Sequence, residues 1–346
     1  MTIRRAGLLI GQTLLGAALL AAWLRVVDLK AVGRILGQAK WPLALLALGL
    51  WIGTGAMRAL RWGIVLRPIS HVPFLELWMI GAVANLVNFV VPLRTGEVAK
   101  SLLLKQRHQV PFAASLPTVA VDRAFDLAAL LALGAAGALL GVPLDDRLSL
   151  VILAGGVLLL GFVAFVGVAI RGRSGLLTVL AEILPRRLGD SLRGRIVETG
   201  EAFLLGFSTA AQRPGDLALM VLLSLVAIIV DATGLYLLFL SLGPPATFAV
   251  IATGFALLTL TYLIPAAPGY IGSTEAFGSL VFTSLGIGTE LAASAVLLSH
   301  ALTSVGIVSL GGVGLWALGL RPASILRSFL AGGGRASAQA QPGAEI

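Results

Sequence analysis

An all-α polytopic membrane helix bundle built from inverted repeats is the fold that the sequence predicts, and three observations predict it. Hydrophobic residues fill 58% of the 346 positions, charged residues only 12%, and the mean hydropathy is +0.99, whereas soluble domains carry about 25% charged residues. Apolar runs of spanning length recur along the chain. Two stretches interrupt those runs with one spacing, P-x-x-x-G followed by a carboxylate: Pro92, Gly96 and Glu97, then Pro268, Gly272 and Glu275, with Pro265 just before the second. A helix broken at membrane depth frees amide and carbonyl groups that lipid cannot satisfy, so it persists only where protein or a water-filled cavity does so. Corresponding breaks in two halves of a chain point to a translocation site.

Taken in order, residues 6–24 form a first span behind Arg4 and Arg5; with no clean cleavage motif before Arg25, it reads as an uncleaved helix. Residues 25–40 interleave Arg25, Asp28, Lys30, Arg34 and Lys40 with aliphatic side chains, the pattern of an amphipathic helix lying in the interface. Residues 41–60 are the second span, ending at Arg58, Arg61 and Trp62, the last placed as an interfacial anchor. Residues 74–91 are apolar enough to enter the bilayer, but 94–107 hold Arg94, Glu97, Lys100, Lys105 and Arg107 and are too charged to cross it. This pair predicts a re-entrant hairpin with Asn85, Asn88 and Pro92 near its turn.

Further spans follow at 116–140, 148–170, 217–240 and 291–318, and residues 248–286 make a second broken hairpin. The expected organisation is about six full spans plus two hairpins in one membrane domain, 1–330. Its pseudo-repeats cover about 40–170 and 215–318, joined by an Arg-rich cytoplasmic linker at 171–215 that includes a surface helix and followed by a disordered tail at 331–346. With both termini cytoplasmic, nineteen Lys and Arg fall inside and five outside, which favours that orientation. The hairpins then enter from opposite faces.

Composition also excludes functions. The chain has no cysteine, and its three histidines are widely separated, so neither disulfide chemistry nor a metal centre is expected. The formal charge of +9 resides beside apolar spans, with no polar domain to carry a nucleic-acid groove; retention of loops at an anionic membrane face accounts for it. No cofactor site is legible. Clustered glycines at 134–137, at Gly155 and Gly156, and at Gly311, Gly312 and Gly314 lack phosphate-loop context and read as helix-packing positions.

Glu97 and Glu275 are the leading site candidates, because a carboxylate beside a helix break at membrane depth faces a cavity or a partner; the alternative is a helix-start capping role. Arg94 and Lys100 offer charge to a lipid phosphate or anchor the loop. Gly96, Gly269 and Gly272 let backbone amides at the half-helix starts approach a head group. Asp122 and Asp126 share a face at i, i+4 and need a cation between them, which Arg94, Arg58 or Arg61 can supply, with Arg123 beside them. A structural ion-pair network is the preferred reading there. Asp231 and His300 are lone ionisable groups inside predicted spans, read as proton relays or, with preference, as hydrogen-bonded or cavity-facing residues.

RALRW at 58–62, NFVVPLRTGEVAK at 88–100, DRAFD at 122–126 and PGYIGSTE at 268–275 together resemble the membrane domain of lysylphosphatidylglycerol synthases and its stand-alone, flippase-like relatives, over roughly residues 10–318. The resemblance implies movement of an anionic or aminoacylated lipid between leaflets. The aminoacyl-transfer domain of the synthases finds no counterpart in this sequence, so a translocase rather than an enzyme is expected, in a bacterial inner membrane, with a membrane lipid as substrate. A membrane-embedded lipid-modifying transferase, and a scaffold that partners lipid-synthesis enzymes, are the alternatives.

Overall fold

The computed structural model describes residues 3–91, 95–170, 213–244, 246–263 and 267–321, and among these every regular element is helical. Pro92, Arg94, Pro265, the 171–212 part of the linker and the tail lie outside the described residues.

Helix α1 (Ile3–Val26) is followed, after an 85° bend, by α2 (Leu29–Gly37). The bend is fixed by Asp28, whose carboxylate accepts the amides of Lys30 and Ala31 at 2.9 and 3.3 Å and so caps α2. A separate short helix thus stands within the 25–40 segment that the sequence read as amphipathic. Helix α3 (Trp41–Leu66) crosses next. Helices α4 (Phe74–Val90) and α5 (Gly96–His108) form the first hairpin, then come α6 (Phe112–Leu139) and α7 (Asp146–Ile170). Beyond the linker lie α8 (Pro214–Leu242), the second hairpin of α9 (Phe248–Thr261) and α10 (Ser273–Ser284), and finally α11 (Thr289–Ala317). Between α9 and α10, Pro268–Tyr270 make one 3₁₀ turn.

Among the described residues four single helices are long and apolar enough to cross a membrane, namely α3, α8, α11 and the Asp146–Ala164 part of α7; α1 with α2 counts as a fifth if the bent pair is one span. Helix α6 has 28 residues, which is length enough, and it differs from the others by holding Asp122, Arg123 and Asp126. The hairpin helices have 17, 13, 14 and 12 residues, each short of the roughly 20 that a crossing takes. Both turn back. Glu76 in the first turn of α4 meets Arg107 and His108 in the last turn of α5, and Ile251 near the start of α9 packs in one cluster with Val281, Phe282 and Leu285 at the end of α10.

The two hairpins open to opposite faces. Arg107, at the mouth of the first, donates to the carbonyl of Leu318 at the end of α11, whereas the mouth of the second clusters with Ala292 at the start of α11. A two-fold correspondence relates α3–α6 to α8–α11: α4 packs on α11 as α9 packs on α6, α3 touches α6 and α11 as α8 touches α11 and α6, and each hairpin packs on the helix that follows it. Helices α3 and α8 are antiparallel, because Lys40 donates to the Ser241 carbonyl at one end and Arg67 faces Asp216 at the other. Where they cross, the Thr54 hydroxyl donates to Asp231 at 2.7 Å across 177 positions. The starts of α5 and α10, at Gly96 and Ser273, and of α6 and α11, at Phe112 and Thr289, differ by that same 177. Thr54 and Asp231 thus lie near counterpart positions where α3 and α8 cross.

Each half buries an aromatic anchor. Trp62 and Phe239 are both 1% exposed, which corrects the expectation that Trp62 is an interfacial anchor: its indole donates to Thr118 at 3.2 Å inside the bundle. Of the packing glycines, Gly137, Gly155, Gly311 and Gly314 have neighbours within 3.0 Å of where a Cβ would stand, whereas Gly156 and Gly312 face open space. Among the described residues those two meet no neighbouring helix.

Because the chain lacks cysteine, its topology is directly testable. Ser70 follows the α3 end that faces Asp216, and Gly288 lies at the mouth of the second hairpin, near the opposite end of α3. Single cysteines at Ser70 and Gly288 are expected to react with an impermeant maleimide from opposite sides of the membrane, Gly288 from outside. Labelling of both from one side would remove the opposed hairpins.

Candidate functional site

The polar interior begins with α3, which places Arg58 and Arg61 toward α6. Arg61 is 1% exposed and Asp122 is fully buried. Arg61 Nε donates to the Asp122 carboxylate at 2.8 Å, Nη2 to Asp126 at 2.7 Å and to the Asp122 carbonyl at 2.9 Å, and Nη1 to the Ser224 hydroxyl at 2.8 Å. One guanidinium thus fills the gap between two like charges on a helix face, as the i, i+4 spacing requires, and its fixed fork suits it to that place. Arg58 joins Asp126 at 3.3 Å to Asp231 of α8 at 2.6 Å. Lys100 of α5 lies 3.5 Å from Asp122 and 4.7 Å from the centre of the Trp62 ring. Arg123 reaches Asp126 at 3.3 Å and Glu97 at 3.4 Å.

Among the described residues these contacts form one continuous network of four cations, Arg58, Arg61, Lys100 and Arg123, and four carboxylates, Glu97, Asp122, Asp126 and Asp231. Burying any of these charges without a partner would cost several kcal/mol, on the order of an ion's desolvation penalty, so the network is what lets DRAFD sit inside the bundle. Sequence reasoning expected the DRAFD ion pairs and missed two members. Asp231 is an ion-pair partner of α3, and Lys100, weighed mainly as a loop anchor, is buried. The signal for Asp231 was one charge inside an apolar run, with nothing to say which helix faces it, whereas Lys100 stands among the charges of 94–107 and nothing sets it apart from the solvated ones.

At the first break, Asn88 near the end of α4 accepts the Gly96 amide at 2.6 Å, and its own amide lies 3.4 Å from both oxygens of Glu97. Asn88 therefore caps α5 from a neighbouring helix, in place of Thr95, which makes no side-chain cap. Gly96 is required for this approach: a Cβ there would stand 2.2 Å from the Ala84 carbonyl oxygen. Asn85 lies half-buried one turn earlier.

At the second break, Gly269, Tyr270 and Gly272 have φ of +68°, +56° and +82°. Glu275 accepts the Gly272 amide at 2.7 Å, the reach from N3 back to the N-cap amide, which is one half of a capping box. Its other oxygen lies 2.5 Å from His300 Nδ1, while His300 Nε2 lies 2.8 Å from the Gly269 carbonyl. Both the capping and the partnered readings of Glu275 are thus realised together. The leading amide of each half-helix is bonded to a side chain, Gly96 to Asn88 and Gly272 to Glu275. Among the described residues no contact joins Glu97 to Glu275 directly, although the breaks are adjacent: Phe89 of α4 comes within 3.4 Å of where a Gly269 Cβ would be. No group of His, Asp or Glu suited to a metal occurs among the described residues.

Comparison with known proteins bears on this arrangement. The chain is 25% identical over 339 residues to Glycosyltransferase AglD of Haloferax volcanii, covering 89% of this chain and 53% of that protein. It thus spans about half of the length of AglD. It is 25% identical over 292 residues to a UPF0104 membrane protein of Methanothermobacter thermautotrophicus, covering 81% of this chain and 84% of that one. With UPF0104 membrane protein PH1989 of Pyrococcus horikoshii it shares 24% identity over 321 residues, 87% of this chain and 94% of the relative. No solved structure matches. The likeness to a protein named as a glycosyltransferase corrects the expectation that enzymatic chemistry is absent, which rested on finding no transfer domain in the sequence. The family model described as the lysylphosphatidylglycerol synthase TM region matches residues 6–311, and the chain, an integral membrane protein, belongs to that family.

Proposed function

We propose that this chain serves lipid or lipid-linked glycosyl metabolism by carrying the polar head of an anionic or aminoacylated lipid, or of a lipid-linked precursor, between leaflets, in a plasma membrane with both termini inside. The observation that carries the reading is the pair of broken hairpins that open to opposite faces and meet near Phe89 and Gly269. Such breaks, related by a two-fold axis in the membrane plane, are how alternating access places one site within reach of both sides. Each break holds a carboxylate paired with the twelfth residue of the helix that follows it, Glu97 with Arg123 and Glu275 with His300. Glu97 and Arg123 are part exposed, at 25% and 37% of the side chain, so a head group reaches them more readily than the buried Asp122 centre. Arg94, outside the described residues, stands two positions before Gly96 in the sequence and would offer a cation for a phosphate.

In vesicles carrying a fluorescent anionic phospholipid, Glu97→Gln and Arg123→Gln are expected to reduce leaflet transfer to the protein-free background while leaving yield and melting temperature near those of the parent. Native transfer rates in both variants would remove the first break from the path. A second reading, transfer of a group onto the lipid, is favoured by the relative named as a glycosyltransferase. Mass spectrometry of the vesicle lipid separates the two: translocation relocates an unchanged lipid, whereas group transfer changes its mass.

A further inference from the structure

We infer that the second break is a binding site for one exchangeable proton, held between Glu275 and His300, and that occupancy of this site sets the conformation of the Pro268–Tyr270 turn. The inference deepens the proposed function by naming a coupling ion, and rests on that reading only for the ion's role in transport. It starts from hydrogen-bond bookkeeping. Both imidazole nitrogens of His300 face acceptors, Nδ1 a carboxylate oxygen at 2.5 Å and Nε2 a carbonyl oxygen at 2.8 Å. A neutral imidazole has a single N–H. The geometry therefore takes one proton more than a neutral ring beside an ionised carboxylate can supply. That proton sits either on Nδ1, giving imidazolium against carboxylate, or on Glu275 Oε1, giving a carboxylic acid that donates to Nδ1. The proton count is the same in both.

When that proton leaves, one of the two contacts becomes lone pair against lone pair. If the remaining N–H is on Nε2, the ring keeps Gly269 and repels Glu275, which also holds the Gly272 amide at the start of α10. If it is on Nδ1, the ring keeps Glu275 and releases the Gly269 carbonyl. Either loss loosens a turn that places the non-glycine Tyr270 at φ +56° between two positive-φ glycines, a conformation that persists only when its surroundings hold it.

The surroundings isolate the pair. Glu275 is the one charged group facing His300 among the described residues. The titratable neighbours of Glu275 besides His300 are the phenol of Tyr262 and, beyond it, that of Tyr270, with ring centroids 5.2 Å apart. Helix α1 presents Gly16, Leu20 and Trp23 to this region, α2 presents Val32 and Leu36, and α4 presents Phe89; none is charged. The first half supplies an internal control. Arg123 stands 177 positions before His300, the twelfth residue of its helix as His300 is of its own, and is paired with Glu97 as His300 is with Glu275. A guanidinium does not release its proton in proteins, so the first break holds a permanent pair and the second a titratable one.

The test uses the full chain in lipid vesicles. Histidines carry ¹⁵N, with His300 assigned by its loss in His300→Arg, and a nitroxide is attached to Ile271→Cys, the sole cysteine, at a position 53% exposed. Between about pH 5 and about pH 10, which brackets imidazole titration, His300 is expected to pass from the proton-sharing form to a neutral ring with one N–H, and nitroxide mobility to rise in the same step. His300→Arg makes the second pair permanent like the first and abolishes the step at low mobility. Glu275→Gln, whose amide either donates or accepts, accommodates a neutral ring and also removes it, so the test stands if one variant fails to fold. A His300 titration with no change at 271, or a step that survives both variants, would overturn the inference. None of these readouts needs lipid transfer: a mobility step without transfer upholds the proton site and removes the translocase, while transfer without the step does the reverse.

Discussion

Arg61→Met is expected to cost about 3–5 kcal/mol of folding stability, the range for breaking a buried ion pair from one side. Methionine matches the aliphatic stem of Arg61 and leaves Asp122, fully buried, with only Lys100 at 3.5 Å as a cation. It also takes a bond shorter than 3 Å from the Ser224 hydroxyl and from one oxygen of Asp126, leaving the hydroxyl its bond to the Met220 carbonyl and that oxygen only Arg58 at 3.3 Å. The triple variant Arg61→Met/Lys100→Met/Asp122→Leu should be more stable than Arg61→Met alone, because it removes the buried acid together with both cations that face it. By contrast Arg67→Met, which breaks a half-exposed pair to Asp216 at 3.5 Å, should cost no more than about 1 kcal/mol. Thermal unfolding of the purified proteins in detergent, followed by loss of the monodisperse peak, ranks the three. If Arg61→Met melted with Arg67→Met, the buried network would not be what holds α3 to α6.

Gly272→Ala is expected to destabilise by about 3 kcal/mol or more, since steric overlap and a left-handed backbone add at one residue. A methyl group at Gly272 would stand 2.0 Å from the carbonyl oxygen of Gly16 and 3.0 Å from the amide nitrogen of Leu20. Both are backbone atoms, so α1 as a whole must withdraw. Gly269→Ala serves as the control: its φ is also positive, at +68°, but the nearest atom is the edge of the Phe89 ring at 3.4 Å. It should lose only the backbone term, roughly 1–2 kcal/mol. Melting temperatures in one detergent make the comparison, and equal losses in the two variants would show that α1 yields freely.

What the sequence made legible was whatever depends on local pattern. Broken hairpins followed from P-x-x-x-G inside apolar runs, and the separate short α2 from charges spaced through 25–40. A cation between Asp122 and Asp126 followed from two aspartates one helical turn apart, which cannot share a face without one, while the choice of Arg61 from among Arg94, Arg58 and Arg61 did not. Pairings across the bundle were not legible. The apolar spacing around Asp231 says only that it is inside, and the choice between Arg58 and His300 as its partner depends on how α3 and α8 cross. Trp62 was misplaced for a related reason: a tryptophan beside two arginines near a helix end has the composition of a membrane interface, but this helix runs on to Leu66 and the arginines turn inward to α6. Lys100, on a strongly charged half-helix, reads as solvated until the Trp62 face and Asp122 are brought beside it.

The interior network holds four cations against four carboxylates, and this balance has an electrical consequence. A single unbalanced charge carried across the membrane exchanges about 2.3 kcal/mol with each 100 mV of potential. A neutral set that shifts as a unit exchanges almost none. Rocking of α3, α5 and α6 against α8 would part the set unevenly, because Arg58, Arg61, Lys100 and Arg123 travel with Glu97, Asp122 and Asp126 while Asp231 stays on α8; at most one elementary charge would then register as gating charge, and the rest of any voltage dependence would belong to the cargo and to whatever ion accompanies it.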